Sequence, residues 1–327
     1  MKAAVLVEPG RLIVKDIPKP EPGPNEVLIK VTLAGVCGSD FSLFHGKLGV
    51  CLPVVPGHEA IGHITAWGKN VTQFNKGQLV TIQPNFPCGK CAICRAGHAN
   101  VCPAKVRLGL EIDGVFAEYV KVPADYVWKI PQGISDEVAV FAEPLAVATH
   151  GLNVAAPQPG QKALVFGAGV IGLLTLQLAA LAGAETTACD LEEKRLIMAK
   201  NLGAKHVLGK NSDMDVALNA YDVVYETSGA PVALAAAIKY AAPGGKIVLL
   251  GLPAKDHPVS TALIVRKELK ILGSMIYTNE FPQVLKTLES GRLNTAALIS
   301  AKIGLNDINE ALLDFTSPDR IKTLVVS

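Results

Sequence analysis

Short apolar runs separated by Pro and Gly turns fill the first 150 positions: AAVLVE, RLIVKDI, EVLIKVTLAG, QLVTI and AEYVKV. Runs of this length, bounded by turn residues, predict a mostly antiparallel β domain over residues 1–150. From Gln161 the rhythm changes. Strand-like ALVFGA, ETTACD, HVLG, DVVYET, KIVLLG and LKILGS are interleaved with helical patterns such as VIGLLTLQLAALAG, LEEKRLIMAKNLG and PVALAAAIKYAAPGG. Six apolar runs joined by helical crossovers predict an α/β domain over residues 151–275, a doubly wound parallel sheet covered on both faces. Residues 276–327 return to helix and strand with FPQVLKTLESG, DINEALLDF and IKTLVV, and this tail is expected to pack back on the first domain.

One segment needs arbitration. Ala163–Ala184 carries no charge and is long enough to cross a bilayer. Gly167, Gly169 and Gly172 interrupt it early and Gln177 would sit unpaired in lipid, so a buried strand turning into a helix is the better reading. The amino-terminal apolar run is only five residues long before Glu8 and Pro9, too short for a signal-peptide core, and a cytoplasmic location is expected. At 327 residues, half of them hydrophobic and 18% charged, the chain has room for two packed cores, which excludes a disordered, collagenous or coiled-coil protein. Its 31 Lys+Arg against 29 Asp+Glu give +2, too even for electrostatic binding to nucleic acid or an anionic membrane. A small-molecule partner is expected instead.

Four of the seven cysteines fall in CGKCAICRAGHANVC, as Cys88, Cys91, Cys94 and Cys102. The spacing C-x2-C-x2-C-x7-C suits one tetrahedral Zn2+ that fixes a lobe over about residues 86–104, where apolar residues are too few for independent folding. An iron–sulfur cluster and a redox CxxC also fit such spacing, whereas the odd cysteine count argues against a disulfide network. Cys51 and Cys189 lack ligand-like neighbours and read as small buried apolar residues.

Cys37 differs, lying in AGVCGSD directly after a strand. PGHEAIG then supplies His58 and Glu59 at another sharp turn, and FAEPLA places Glu143 in an apolar run. Such a carboxylate must be solvated, paired or bound to metal, and Cys, His and Glu together form a catalytic zinc set that leaves one position open.

GAGVIG, with Gly167, Gly169, Val170, Ile171 and Gly172, follows a strand and opens a helix. The next strand ends in Asp190, eighteen residues after the last glycine, where an acid accepts hydrogen bonds from adenosine ribose hydroxyls. A pyrophosphate would meet the helix amino terminus. Asp190 favours NAD over NADP, although Lys194 and Arg195 close behind could accommodate the extra phosphate if Asp190 turned away. Thr227 and Ser228 in YETSG and Gly251 after KIVLL stand at strand ends facing a cofactor, with an ordinary helix cap as the alternative for the hydroxyls. Lys322 in the last strand is a candidate for reaching the pyrophosphate.

The motifs GVCGSD, PGHEAIG, the four-cysteine lobe with its CxxGxxNxC ending, DGVFAEYVKVP, EPLAVATHG, GAGVIG and INEAL span nearly the whole chain. In this order they resemble the zinc-containing medium-chain dehydrogenase/reductase family, in the branch with sorbitol (polyol) and threonine dehydrogenases. The resemblance implies a GroES-like catalytic domain formed by both chain ends around a central Rossmann domain, with the active site in the cleft between them and a homodimer or homotetramer as the assembly. It also implies that Cys37 and His58 bind a catalytic zinc whose shell Glu59 and Glu143 complete or exchange. Two zinc ions per chain, one catalytic and one structural, and NAD are the expected cofactors.

The sequence departs from the family where Gly77, Gln78, Leu79 and Val80 replace Gly-Asp-Arg-Val, and where Ser42 replaces the relay histidine of alcohol-type enzymes. Ser39 is then the first candidate to carry the proton outward, and His45 a candidate for the substrate. The expected reaction is hydride transfer from a secondary alcohol of a polyol, sugar or sugar acid to NAD, giving the ketone. An amino alcohol such as threonine is the alternative substrate, and a non-catalytic zinc-stabilised redox sensor the alternative class.

Overall fold

The computed structural model describes residues 1–212, 218–253 and 255–327. They form two compact units, one of Met1–Glu143 with Phe281–Ser327 and the other of Pro144–Glu280. The divisions therefore fall a few residues away from the expected 150 and 276, inside the helix Ala142–Val154 and just before the helix Phe281–Glu289. Apolar periodicity continues through both points, so it does not mark them.

The first unit is built on a seven-stranded sheet. Its order runs Ile299–Gly304, Lys322–Val326, Glu26–Gly35, Glu59–Trp67, Leu79–Ile82 and Val127–Lys129, and Tyr119–Pro123 adds to Glu26–Gly35. All pairings are antiparallel except that between Ile299–Gly304 and Lys322–Val326. The ten-residue strand EVLIKVTLAG is buried almost throughout instead of alternating, because other residues cover both of its faces. Val27, Ile29, Val31 and Ala34 join Leu6, Ile64, Val80, Phe116 and Val325 in one core. The last strand pairs with the end of Glu26–Gly35 (Leu324 opposite Gly35), and Glu59 faces Gly35 from the other side. Residues remote in sequence thereby converge where Cys37 follows.

The second unit holds a six-stranded, all-parallel sheet in the order His206–Leu208, Glu185–Cys189, Lys162–Phe166, Tyr221–Glu226, Ala241–Leu249 and Lys270–Gly273. The six apolar runs supply these six strands. The order reverses beside Lys162–Phe166, the switch point at which doubly wound sheets bind ligands. Ala163–Ala184 holds all but the first residue of the strand Lys162–Phe166, a glycine turn and the twelve-residue helix Val170–Leu181. Among the described residues no helix is long and apolar enough to cross a membrane.

A partly buried hydrogen bond ties together the segments that begin and end this unit. His150 Nδ1 lies 2.7 Å from Glu280 Oε1, while Thr278 N donates to Glu280 Oε2 at 2.6 Å. Burial raises the Glu280 carboxyl, but donation from His150 and Thr278 outweighs it and leaves the group below the ordinary carboxylate range. A depressed folded-state pKa adds stability that is complete above the unfolded value and disappears as pH falls through the folded one. Glu280→Gln should therefore cost about 1–3 kcal/mol at pH 7, and the difference from wild type should close below about pH 4. Urea unfolding midpoints across this range measure it; a pH-independent gap would assign the effect to packing.

Candidate active site and metal centres

Cys37 caps the helix Gly38–Phe44 at the end of the strand Glu26–Gly35. Asp40, only 2% exposed, orders the surroundings. Its Oδ2 accepts from Cys37 N at 2.9 Å and its Oδ1 accepts from Gly57 N at 3.2 Å, joining the two turns that carry Cys37 and His58. The same Oδ1 lies 3.4 Å from His58 Nδ1, so Nε2 is the nitrogen left for a metal. Ser39 Oγ stands 3.4 Å from that Nε2. Glu59 opens the next strand and is 1% exposed.

The thiol, imidazole and carboxylate donor atoms of Cys37, His58 and Glu59 all lie within 4.8 Å of one another. Sulfur, nitrogen and oxygen at that spacing suit Zn2+ with one position open. Burial lowers the basicity of His58, but Asp40 and Cys37 more than offset it, so the imidazole binds a proton well above its ordinary range until a metal replaces that proton. Glu143 is 5% exposed in the first turn of Ala142–Val154 and helps hold the charge of Lys322, but it is not a member of the close trio.

Lys322 is 1% exposed, with its ammonium bound to Glu59 and donating to Val36 O at 3.2 Å. His45 is exposed at the end of its helix, with Nδ1 3.0 Å from Phe41 O and its ring packed on Phe41 and Phe44. Cys51, expected to be buried, is exposed.

The second cluster comprises Cys88, Cys91, Cys94 and Cys102, with donor sulfurs within 4.8 Å of one another and closest pairs at 4.0 Å. Tetrahedral Zn–S bonds of about 2.3 Å separate sulfurs by about 3.8 Å, so a small contraction would seat the ion. Backbone donors from Lys90 and Cys91 bring the Cys88 thiol down to about 6, while desolvation and the neighbouring sulfurs push Cys94 up to about 12. Cys102 is the only buried residue between positions 87 and 107. A bound ion would do there what an apolar core does elsewhere.

In the second unit the glycine turn joins Lys162–Phe166 to Val170–Leu181. Gly167 has φ +89°. A Cβ on Gly172 would stand 1.7 Å from Gly167 O, so only glycine permits the turn and helix to meet. Gly169 faces open space, with Val170 and Ile171 beginning the helix, as a pyrophosphate cradle requires. Asp190 Oδ2 accepts from Ala168 N at 2.6 Å and Oδ1 from Glu192 N at 2.9 Å, which fixes the acid beside the turn; Arg195 follows in the helix Glu193–Asn201. Thr227 donates to Phe166 O at 2.7 Å and Gly167 O at 3.0 Å, and Ser228 donates to Glu226. Both hydroxyls thus shape the turns. Glu226, 4% exposed, accepts from Ser228 N and Gly229 N through its side chain, and its backbone carbonyl accepts from Gly251 N.

Sequence reasoning missed Asp40 and Glu226 as organisers. An acid three residues after a helix cap was the available signal for Asp40.

Residues 23–132 match the alcohol dehydrogenase GroES-like domain, and residues 170–290 match the zinc-binding dehydrogenase domain. The chain belongs to the zinc-containing medium-chain dehydrogenase family, in the branch with sorbitol (polyol) and threonine dehydrogenases. Among its medium-chain relatives, sorbitol dehydrogenase of Bacillus subtilis (strain 168) is 34% identical, covering 95% of this chain and 92% of its own. L-threonine 3-dehydrogenase of Streptomyces avermitilis is 35% identical, covering 97% and 96%. A zinc-binding dehydrogenase structure from Sinorhizobium meliloti 1021 bound to NADP aligns with TM-score 0.97 and 31% identity, covering 100% and 99%. An alcohol dehydrogenase from Escherichia coli CFT073 complexed with NADH gives 0.95 and 31%, also covering 100% and 99%. The chain is thus a zinc-dependent, NAD(P)-dependent alcohol oxidoreductase.

Gly172→Ala should raise KM for the dinucleotide roughly 100-fold, about 2.7 kcal/mol, with the circular dichroism of the fold retained. Initial rates against cofactor concentration measure it; an unchanged KM would show that the turn does not hold the cofactor.

Proposed function

We propose that the chain oxidises a secondary hydroxyl of a polyol, sugar or sugar acid to the ketone and passes the hydride to NAD, using two zinc ions per chain. The supporting observation is the Cys37, His58 and Glu59 trio, in which a carboxylate accompanies a single thiolate. A zinc ion bound there supplies a Lewis acid that favours the ionised form of a hydroxyl.

The chain's own residues do the rest. Asp40 fixes the imidazole of His58 so that Nε2 faces the metal position. Ser39 Oγ, 3.4 Å from that nitrogen, can accept a proton released at the site and pass one onward, since a hydroxyl both donates and accepts. Ser42, in place of a histidine, supplies no imidazole relay. In the cofactor turn, the Asp190 carboxylate would accept from ribose hydroxyls and repel a 2′-phosphate, which favours NAD over NADP.

Initial NADH absorbance rates with sorbitol, xylitol, arabinitol, sugar acids and threonine test the assignment. Turnover of a polyol or sugar acid with NAD supports it. Turnover of threonine alone would assign the amino-alcohol reaction, and preference for NADP would overturn the role given to Asp190.

A further inference from the structure

Gly35 lies between Glu59 on one neighbouring strand and the Lys322–Val326 strand on the other. A Cβ at Gly35 would stand 2.1 Å from Glu59 Oε2 and 2.7 Å from Lys322 Cε. The space a side chain would fill is occupied by the ion pair itself. Both partners are 1% exposed, and the ammonium also donates to Val36 O at 3.2 Å, the carbonyl directly before Cys37. One cation thereby contacts the backbone leading to the thiolate and a carboxylate oxygen of the same trio.

We infer that Lys322 is a positioning residue for the catalytic metal: it engages Glu59 Oε2, leaves Oε1 as the oxygen for coordination, and anchors the strand end that presents Cys37. The inference rests on the reading of Cys37, His58 and Glu59 as a metal centre. A buried ion pair adds little net stability over an apolar pair of similar volume, so the contribution of this one is geometric. Without Lys322 the buried carboxylate would lose the partner that fixes its orientation beside Cys37 and His58. Partners that orient a metal ligand typically contribute 10–100-fold to metal affinity.

The test uses the full-length protein reconstituted with cobalt(II), whose visible absorption reports ligand number and geometry, together with zinc retention under chelator titration. Lys322→Met is expected to shift the cobalt bands of the Cys37 site and weaken its zinc binding roughly 10–100-fold, with the four-cysteine zinc unaffected. Should that variant fail to fold, Lys322→Gln, which keeps a donor for Val36 O but not the charge, carries the same comparison. Unaltered cobalt bands and unaltered affinity in the folded variant would overturn the positioning role. If wild-type protein binds metal only at the four cysteines, the metal-centre reading itself fails, and the inference with it.

Discussion

Cys37→Ser is expected to lower kcat/KM for the alcohol by about 10,000-fold or more while leaving thermal unfolding nearly unchanged. The factor corresponds to about 5.4 kcal/mol of transition-state stabilisation, well within what a Lewis-acid metal supplies. Cys37 caps the helix Gly38–Phe44 in extended conformation, and serine is among the preferred residues for that place, so the helix keeps its start. What disappears is the thiolate. The loss should therefore appear in initial NADH rates and not in the melting curve. Activity within tenfold of wild type would remove Cys37 from the chemistry.

Cys102→Ala should have the opposite profile, a large loss of stability whose effect on turnover follows from unfolding. The short helix Ala92–Arg95 and the turn Ala99–Val101 contain no buried residue, so the lobe has no apolar core to fall back on. Structural zinc contributes on the order of 10–16 kcal/mol in small zinc-binding peptides, and removal of one of four ligands should forfeit several of these. At roughly 2–4 °C per kcal/mol for a unit of this size, the melting temperature should fall by about 10 °C or more. Protease cutting should begin between positions 88 and 102. A variant that melts with wild type and resists protease there would show that the four sulfurs do not hold a structural ion.

The two substitutions separate the two clusters, and the sequence announced each with different clarity. The four-cysteine spacing and GAGVIG are local: ligands within fifteen residues, or a turn whose glycines contact each other, need no knowledge of the tertiary fold. The six strands of the second unit were legible for a similar reason, since strands covered on both faces are continuous apolar runs. The partner of Lys322 was not legible, because Glu59 lies 263 residues earlier and the two meet only through the register of the last strand on Glu26–Gly35. Strand register is a tertiary property, and a lysine inside an apolar strand does not reveal which neighbour neutralises it. The packing of His45 on Phe41 and Phe44 is local, because a helix over Gly38–Phe44 brings a residue close to those one and four positions before it. Glu226 was overlooked because YETSG drew attention to the hydroxyls, while the buried acid before them organises the turn.

Metal analysis of purified wild-type protein and Cys37→Ser, side by side, tests the central claim most directly. Two zinc ions per chain falling to one, together with loss of alcohol-dependent NADH formation, is the predicted result. One zinc per chain in both proteins, with turnover intact, would contradict a metal centre at Cys37, His58 and Glu59.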